Sequence, residues 1–169
     1  AVKAALAELG VEAGATVMVH SDLQRAGVVR DADGRLALRL DCESLFATFC
    51  ELLTEAGSLV VPTFSFSWSA GEPFDPMTTR SSQGAFSEFV RTRQGAVRSA
   101  NPMASVAVVG PAAALLDQAD ADHCFGPDGA YGHLCRLDAL QVMIGSRRNS
   151  LNDHVQVTRG TPYRYAKFF

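Results

Sequence analysis

The chain has 169 residues, 47% of them apolar and 20% charged, with a formal charge of −3. That length suits one domain able to bury a core unaided, and the composition is that of an ordinary soluble globular protein. The charges are mixed in sign, with no basic block to track a phosphate backbone, so no nucleic-acid partner is expected. No apolar run reaches membrane-spanning length, so no membrane partner is expected either.

Residues 1–9 carry a short helical pattern that Gly10 would stop. Residues 16–19 are apolar and β-branched enough for a buried strand, and 22–26 read as one or two helical turns ended by Gly27. Asp33-Gly34 marks a turn or irregular hairpin within 30–39. Asp41 is a plausible N-cap for a strong amphipathic helix, with Leu45, Phe46, Phe49, Leu52 and Leu53 at helical spacing and Gly57 as terminator. Residues 58–61 form the next strand, ended by Pro62.

The segment 63–82 changes character to Thr-Phe-Ser-Phe-Ser-Trp-Ser, then Pro73 and Asp75-Pro76. A long polar and aromatic loop of this kind is usually functional, and its aromatics argue against disorder. A helix over 83–92 places Phe86, Phe89 and Val90 on one face. Strands are expected at 105–109 and 140–144, the second closed by Gly145, with a helix opened by Pro111 and a short helix at 131–137. Between them lies a loop over 122–128. Alternating strands and helices without repeats or linkers predict one α/β domain of three layers, α/β/α.

Cys42, Cys50, Cys124 and Cys135 fit no CxxC redox or zinc spacing, and the first two read as core or semi-core thiols of one helix. No N-terminal stretch has the positive flank and apolar centre of a leader. Together these features lead to the expectation of a reduced, cytoplasmic setting. The ending Lys167-Phe168-Phe169, just after Tyr163 and Tyr165, suggests packing against something else.

The chemistry-bearing residues cluster at strand ends. His20, Ser21 and Asp22 follow the first strand, where a hydroxyl or carboxylate could cap a helix or help hold a phosphate or carbonyl oxygen. Arg98 beside Ser99 could clamp a phosphate or pin a loop, and the residues do not rank those two. His154 follows Asn152-Asp153, and imidazole is the side chain that exchanges protons most readily near neutrality. With a carboxylate orienting one nitrogen, the other could act as a base. No metal site stands out among His20, His123, His133 and His154, and no GxSxG elbow marks a serine hydrolase. Gly126, Gly129 and Gly132 lack the setting of a nucleotide fingerprint.

Six segments in order, VMVHSDLQRAG, GSLVVPTFSFS, FDPMTTRSSQGAFSEFVR, GAVRSANPMASVAVVG, CFGPDGAYGHL and NDHVQVTRGTPYRYAKFF, make the chain resemble the aminoglycoside 3-N-acetyltransferase family over almost its whole length. HSD in place of the commoner HSS looks like a branch found near surface-polysaccharide genes. The resemblance implies a single acetyltransferase-like domain over 1–169, of an α/β/α type distinct from the common acetyltransferase superfamily, without a C-terminal part that members usually have. It implies direct transfer from acetyl-CoA to an amino group of an aminoglycoside or other amino sugar, with His154 as general base and Asp153 beside it. His20, Ser21, Asp22 and Thr63 would line the cofactor cleft, and Arg98 and Ser99 would bind or organise the CoA side.

Asp75, Glu88 and Asp128 are candidates for an acidic wall facing a cationic amine. No metal is expected, and a homo-oligomer is open. Val157 stands where the family usually has glutamate, three residues after the histidine, and Gly129 where a serine is common. A naturally reduced form, a trimmed one and a relative with altered chemistry all fit these departures. Two alternatives stand beside transfer: a non-catalytic CoA- or sugar-binding homologue, and a serine-type hydrolase using His154.

Overall fold

The computed structural model describes residues 2–26, 28–30 and 33–162. Gly27 and the C-terminal aromatics lie outside them. In chain order the elements are α1 (Val2–Glu8), β1 (Thr16–Ser21), α2 (Leu23–Ala26), β2 (Val28–Arg30), β3 (Leu36–Arg39), α3 (Cys42–Leu53) and β4 (Ser58–Pro62). A 3₁₀ turn at Trp68–Ala70 follows, then α4 (Ala85–Arg91), β5 (Val97–Arg98), β6 (Val106–Val109), α5 (Ala113–Leu116), α6 (Ala130–Arg136), β7 (Leu140–Ile144) and α7 (Leu151–Thr158).

Among the described residues the main sheet runs β5-β6-β4-β1-β7, and β2 and β3 form a separate antiparallel hairpin. β1 pairs in parallel with β4 on one side and β7 on the other, while β6 runs antiparallel to β4 and β5 antiparallel to β6. The sheet is therefore mixed, with β1, β4 and β7 ending at one edge. β6 begins and β5 ends at that same edge.

Alternation along each strand divides the core in two. Val17, Val19, Leu59, Val61, Ala107 and Val142 pack with Leu6 of α1, Leu45 and Phe49 of α3 and Phe86 of α4. Met18, Val60, Val106 and Val108 face the other way, against Leu116 of α5 and Tyr131 and Leu134 of α6, with Leu151 of α7 packed alongside. Three layers result, as the sequence pattern requires.

The Asp41 carboxylate accepts the Ser44 N–H at 2.8 Å, satisfying an exposed donor in the first turn of α3. The helix ends earlier than Gly57, at Leu53, where Thr54 takes a left-handed φ of 58°. Cys42 is half-buried and Cys50 exposed, so the helix's second thiol is a surface group rather than a core one. Two elements escape the sequence reading altogether: β5, only two residues long, and α7.

Phe49 is wholly buried and meets Phe86 with ring centroids 6.2 Å apart. Phe49→Ala is expected to cost about 3–5 kcal/mol. Thermal unfolding should show a fall in Tm of roughly 10 °C, since about 1 kcal/mol shifts a domain of this size by a few degrees.

Candidate active site

The shared sheet edge gathers polar side chains from distant parts of the chain. His20 and Ser21 close β1, and Thr63 follows β4. Arg98 and Ser99 leave β5, and Ser105 enters β6. Thr63, Ser99 and Ser105 are buried, as are the His20 and Arg98 side chains.

His20 is 5% exposed. Its Nε2 accepts the Ser150 backbone N–H at 3.0 Å and lies 2.7 Å from the Ser150 hydroxyl. A peptide N–H can only donate, so in the neutral ring the proton sits on Nδ1. Among the described residues Nδ1 has no partner. Burial pulls the His20 pKa down to about 4, so the ring is neutral at ordinary pH.

Ser150 stands immediately before α7, and His154 lies one helical turn further along the same face. His154 is buried, and its Nδ1 lies 2.8 Å from the Phe125 carbonyl oxygen. The ring N–H at Nδ1 donates to that carbonyl, leaving Nε2 as the nitrogen with a free lone pair. Phe125 packs on Tyr131 with centroids 4.9 Å apart, and Phe64, at the root of the long loop, meets the same tyrosine edge-on. The Tyr131 phenol is fully buried close to Ser150 but forms no well-shaped hydrogen bond, and burial pushes its pKa upward.

The glycine-rich loop shapes this corner. A Cβ on Gly132 would collide with the Pro127 carbonyl, and one on Gly129 with the His123 carbonyl. Glycine at both positions lets the 123–129 loop fold onto the start of α6 and aim the Phe125 carbonyl at His154.

Arg98 is turned inward. Its Nε donates to the Thr63 and Ser105 hydroxyls at 3.2 and 3.0 Å, and its terminal nitrogens donate to the carbonyls of Thr63, Thr79 and Pro76. Phe74 lies under the guanidinium, 4.8 Å from its centre. Burial, with the nearby positive Arg91, draws its pKa down to about 10, so it stays cationic. Of the two roles that the residues alone left open, pinning a loop is the one visible in this geometry. Ser99 accepts the Val106 N–H at 3.0 Å and closes the β5–β6 junction.

Asp22 caps α2 through the Arg25 N–H and pairs with the Arg25 side chain, both at 3.3 Å. The Ser21 hydroxyl is buried without a partner among the described residues. Asp75 and Glu88 lie around the same pair of cations, Arg91 and Arg98, while Asp128 sits on a separate loop. Asp75 accepts the Met77 N–H and the Thr78 hydroxyl, which lower its pKa. Glu88 forms a two-pronged pair with Arg91 at 2.8 Å and accepts the Ser81 N–H, and the Arg91 bond lowers its pKa most.

Asp128 is exposed on the loop that carries Phe125, and Asp153 is half-buried beside His154. A cleft of about 600 Å³ lies on the α4 side, lined by Cys42, Ser82, Gly84, Glu88 and Phe89, without either buried histidine. Its rim reaches β1, because Gly84 approaches the Ser21 carbonyl.

Sequence reading picked out His20 and His154 separately but missed Ser150, Tyr131 and the Phe125 carbonyl. The Ser-x-x-x-His spacing on one helix face was the available signal for Ser150. No signal marks a backbone carbonyl.

Residues 18–152 match the family described as aminoglycoside 3-N-acetyltransferase. The chain belongs to that family. It is 30% identical over 151 residues to aminoglycoside N(3)-acetyltransferase III of Pseudomonas aeruginosa, covering 82% of this chain and 55% of the relative. It is 28% identical to aminoglycoside N(3)-acetyltransferase VII of Streptomyces paromomycinus, covering 86% and 54% respectively.

Among solved structures, AAC-IIIb in binary complex with CoASH is similar at a TM-score of 0.69 and 25% identity, over 85% of this chain and 57% of that one. AAC-VIa bound to sisomicin is similar at 0.70 and 26%, over 85% and 58%. The chain thus spans about half the length of the curated relatives it matches. No helix among the described residues is long and apolar enough to cross a membrane, and no described group of His, Cys, Asp or Glu could hold a metal ion.

Two outcomes follow from this geometry. Arg98→Ala removes the cation that ties 63–82 to the sheet, so limited proteolysis should cut within that loop much faster than in the wild type. Loop protection equal to the wild type would contradict the pinning role. The second concerns acid. The unfolded chain binds the His20 proton near 6.5 and the folded chain near 4, so between those values the unfolded state holds more protons and stability falls as pH falls. Urea unfolding at pH 7 and 4.5 should show an acid loss about 2–3 kcal/mol smaller in His20→Gln, which keeps an acceptor but does not titrate.

Proposed function

We propose that this chain carries the transfer centre of an acetyl-CoA-dependent N-acetyltransferase acting on an amino group of an aminoglycoside or other amino sugar. The observation that carries this reading is the placement of the buried His154, whose Nδ1 lies 2.8 Å from the Phe125 carbonyl oxygen; since a carbonyl can only accept, the neutral ring then keeps its lone pair at Nε2. Family membership supplies the reaction class. The CoASH-bound and sisomicin-bound neighbours support the donor and the kind of acceptor.

The chemistry needs a base because an ammonium group has no lone pair. His154 Nε2 takes a proton from the amine, directly or through one water, and the freed nitrogen attacks the thioester carbonyl. Acetyl-CoA supplies the acyl group; as the C–S bond breaks, the sulfur takes back the proton held by His154 and CoA leaves as the thiol. Asp153, next to His154 in the first turn of α7, adds negative charge near the imidazolium that forms. Ser21 and Asp22 at the end of β1, with His20 behind them and Thr63 at the end of β4, form the cofactor side. Arg98 and Ser99 organise that side by fixing the 63–82 loop and the β5–β6 junction.

Of the three acidic candidates, Asp128 is the best placed to attract a cationic acceptor, being exposed on the loop that touches His154. Asp75 and Glu88 contribute by holding the loop wall in shape. The protein works in the cytoplasm, where acetyl-CoA is made and thiols stay reduced.

A second reading, CoA binding without transfer, is favoured by one feature. Val157, at the family's usual glutamate position, is 44% exposed and offers no carboxylate. A panel of amines with acetyl-CoA, followed by free thiol and product mass, separates the two. His154→Ala should lower turnover ~100-fold or more with CoA affinity within about threefold of the wild type. Wild-type-like turnover in that variant would remove the base assignment. CoA binding with no thiol release from any amine would leave the second reading.

A further inference from the structure

We propose that His20 is a positioning residue for His154, acting by seating the first turn of the helix that carries it. Ser150 occupies the N-cap position of α7, yet its side chain caps nothing within the helix. Its hydroxyl turns instead to His20 Nε2, the atom that also accepts its backbone N–H. The Asn149 side chain accepts the Leu151 N–H at 3.0 Å, so the start of α7 is held both by that local cap and, through Ser150, by the end of β1.

His154 follows one turn later and is tied to a second, independent segment through the Phe125 carbonyl. These two attachments, one at Ser150 and one at His154, fix both the rotation and the axial position of a helix only eight residues long.

The cost of the arrangement supports this role. Fixing Nε2 as acceptor leaves His20 Nδ1–H buried without a partner among the described residues. An apolar side chain at this position would carry no such unpaired donor, so the ring is suited to holding α7 more than to stabilising the core. Burial also keeps the ring neutral, which preserves the acceptor at working pH. A misplacement of about 1 Å at a catalytic group can reduce rate by ~100-fold, so a small slip of α7 would be felt in turnover.

The proposal rests on His154 being the base, and the experiment separates the two ideas. His20→Ala, His20→Leu, His20→Gln and His154→Ala are compared by kcat, KM, CoA affinity and the ¹⁵N imidazole signals of His154 in the whole chain. His20→Ala should lower kcat ~10–100-fold, keep KM and CoA affinity within about threefold, and shift His154 away from a pure Nδ1–H tautomer. His20→Gln, whose amide oxygen can replace Nε2 as acceptor, should restore most of kcat and the tautomer signal.

Unchanged His154 signals with wild-type kcat in folded His20→Ala would overturn the proposal. So would weaker CoA binding with kcat intact at saturation, which would make His20 a cleft wall. If His20→Ala does not fold, His20→Leu, which fills the site but likewise offers no acceptor to the Ser150 N–H, is read in the same way, and unaltered ring signals there overturn the proposal. Full turnover in His154→Ala would remove the base reading alone, because the ring signals still report whether His20 holds α7.

Discussion

Everything at the candidate site depends on β1 being paired on both sides. β4 and β7 run parallel to it, so its backbone groups are satisfied in both directions and its side chains divide between two dry cores. A strand in that position has no freedom to slip, since a one-residue shift would exchange Val17 and Val19 with Met18 and His20. Parallel pairing also brings the ends of β1, β4 and β7 to one edge, where α/β sheets present their ligand-binding crevices. The antiparallel β6 and β5 reach the same edge from the other direction. Residues far apart in sequence meet there because of strand direction, before any side chain has made a specific contact.

That edge is polar and mostly shut off from water, which explains how its charges are handled. A buried guanidinium needs acceptors, and Arg98 finds them in hydroxyls and backbone carbonyls instead of a carboxylate. Carbonyls belong to the chain itself, so satisfying the cation also orders the loop that supplies them. Glu88 and Arg91 do the same further along, with Arg91 donating to the Met77 carbonyl at 2.6 Å. The segment 63–82 has little regular structure, yet ionic groups tie it down at both ends. This leaves Phe66 and Trp68 exposed on a held loop, 58% and 50% accessible respectively.

Much of this was legible in the sequence wherever burial imposes a period. β1, β4 and β7 read as apolar runs bounded by turn residues, and α3 announced itself through Asp41 and its stripe of Leu and Phe. The hairpin around Asp33-Gly34 followed from turn chemistry. β5 was invisible because two residues carry no period, and it exists only because β6 offers an edge. α7 was missed for a related reason: His154 is its one buried residue, so the segment shows no apolar stripe. At the site, residue types identified His20, Arg98 and His154 as chemically able. Which groups they meet depends on tertiary contacts spanning much of the chain, and one decisive partner is a backbone carbonyl that side-chain identity does not encode.

Residue 157 can be weighed from its place on α7. Residue 157 lies on the helix three positions beyond His154, with nearly half its side chain in solvent. A carboxylate there would be partly screened by water, so its pull on a buried imidazole would be weak. The Phe125 carbonyl, by contrast, belongs to a half-buried residue whose ring packs on Tyr131, and it reaches Nδ1 at 2.8 Å. A carbonyl fixes the tautomer as firmly as a carboxylate, but it offers a dipole rather than a full charge to the imidazolium. In this chain the orientation of His154 is therefore independent of residue 157.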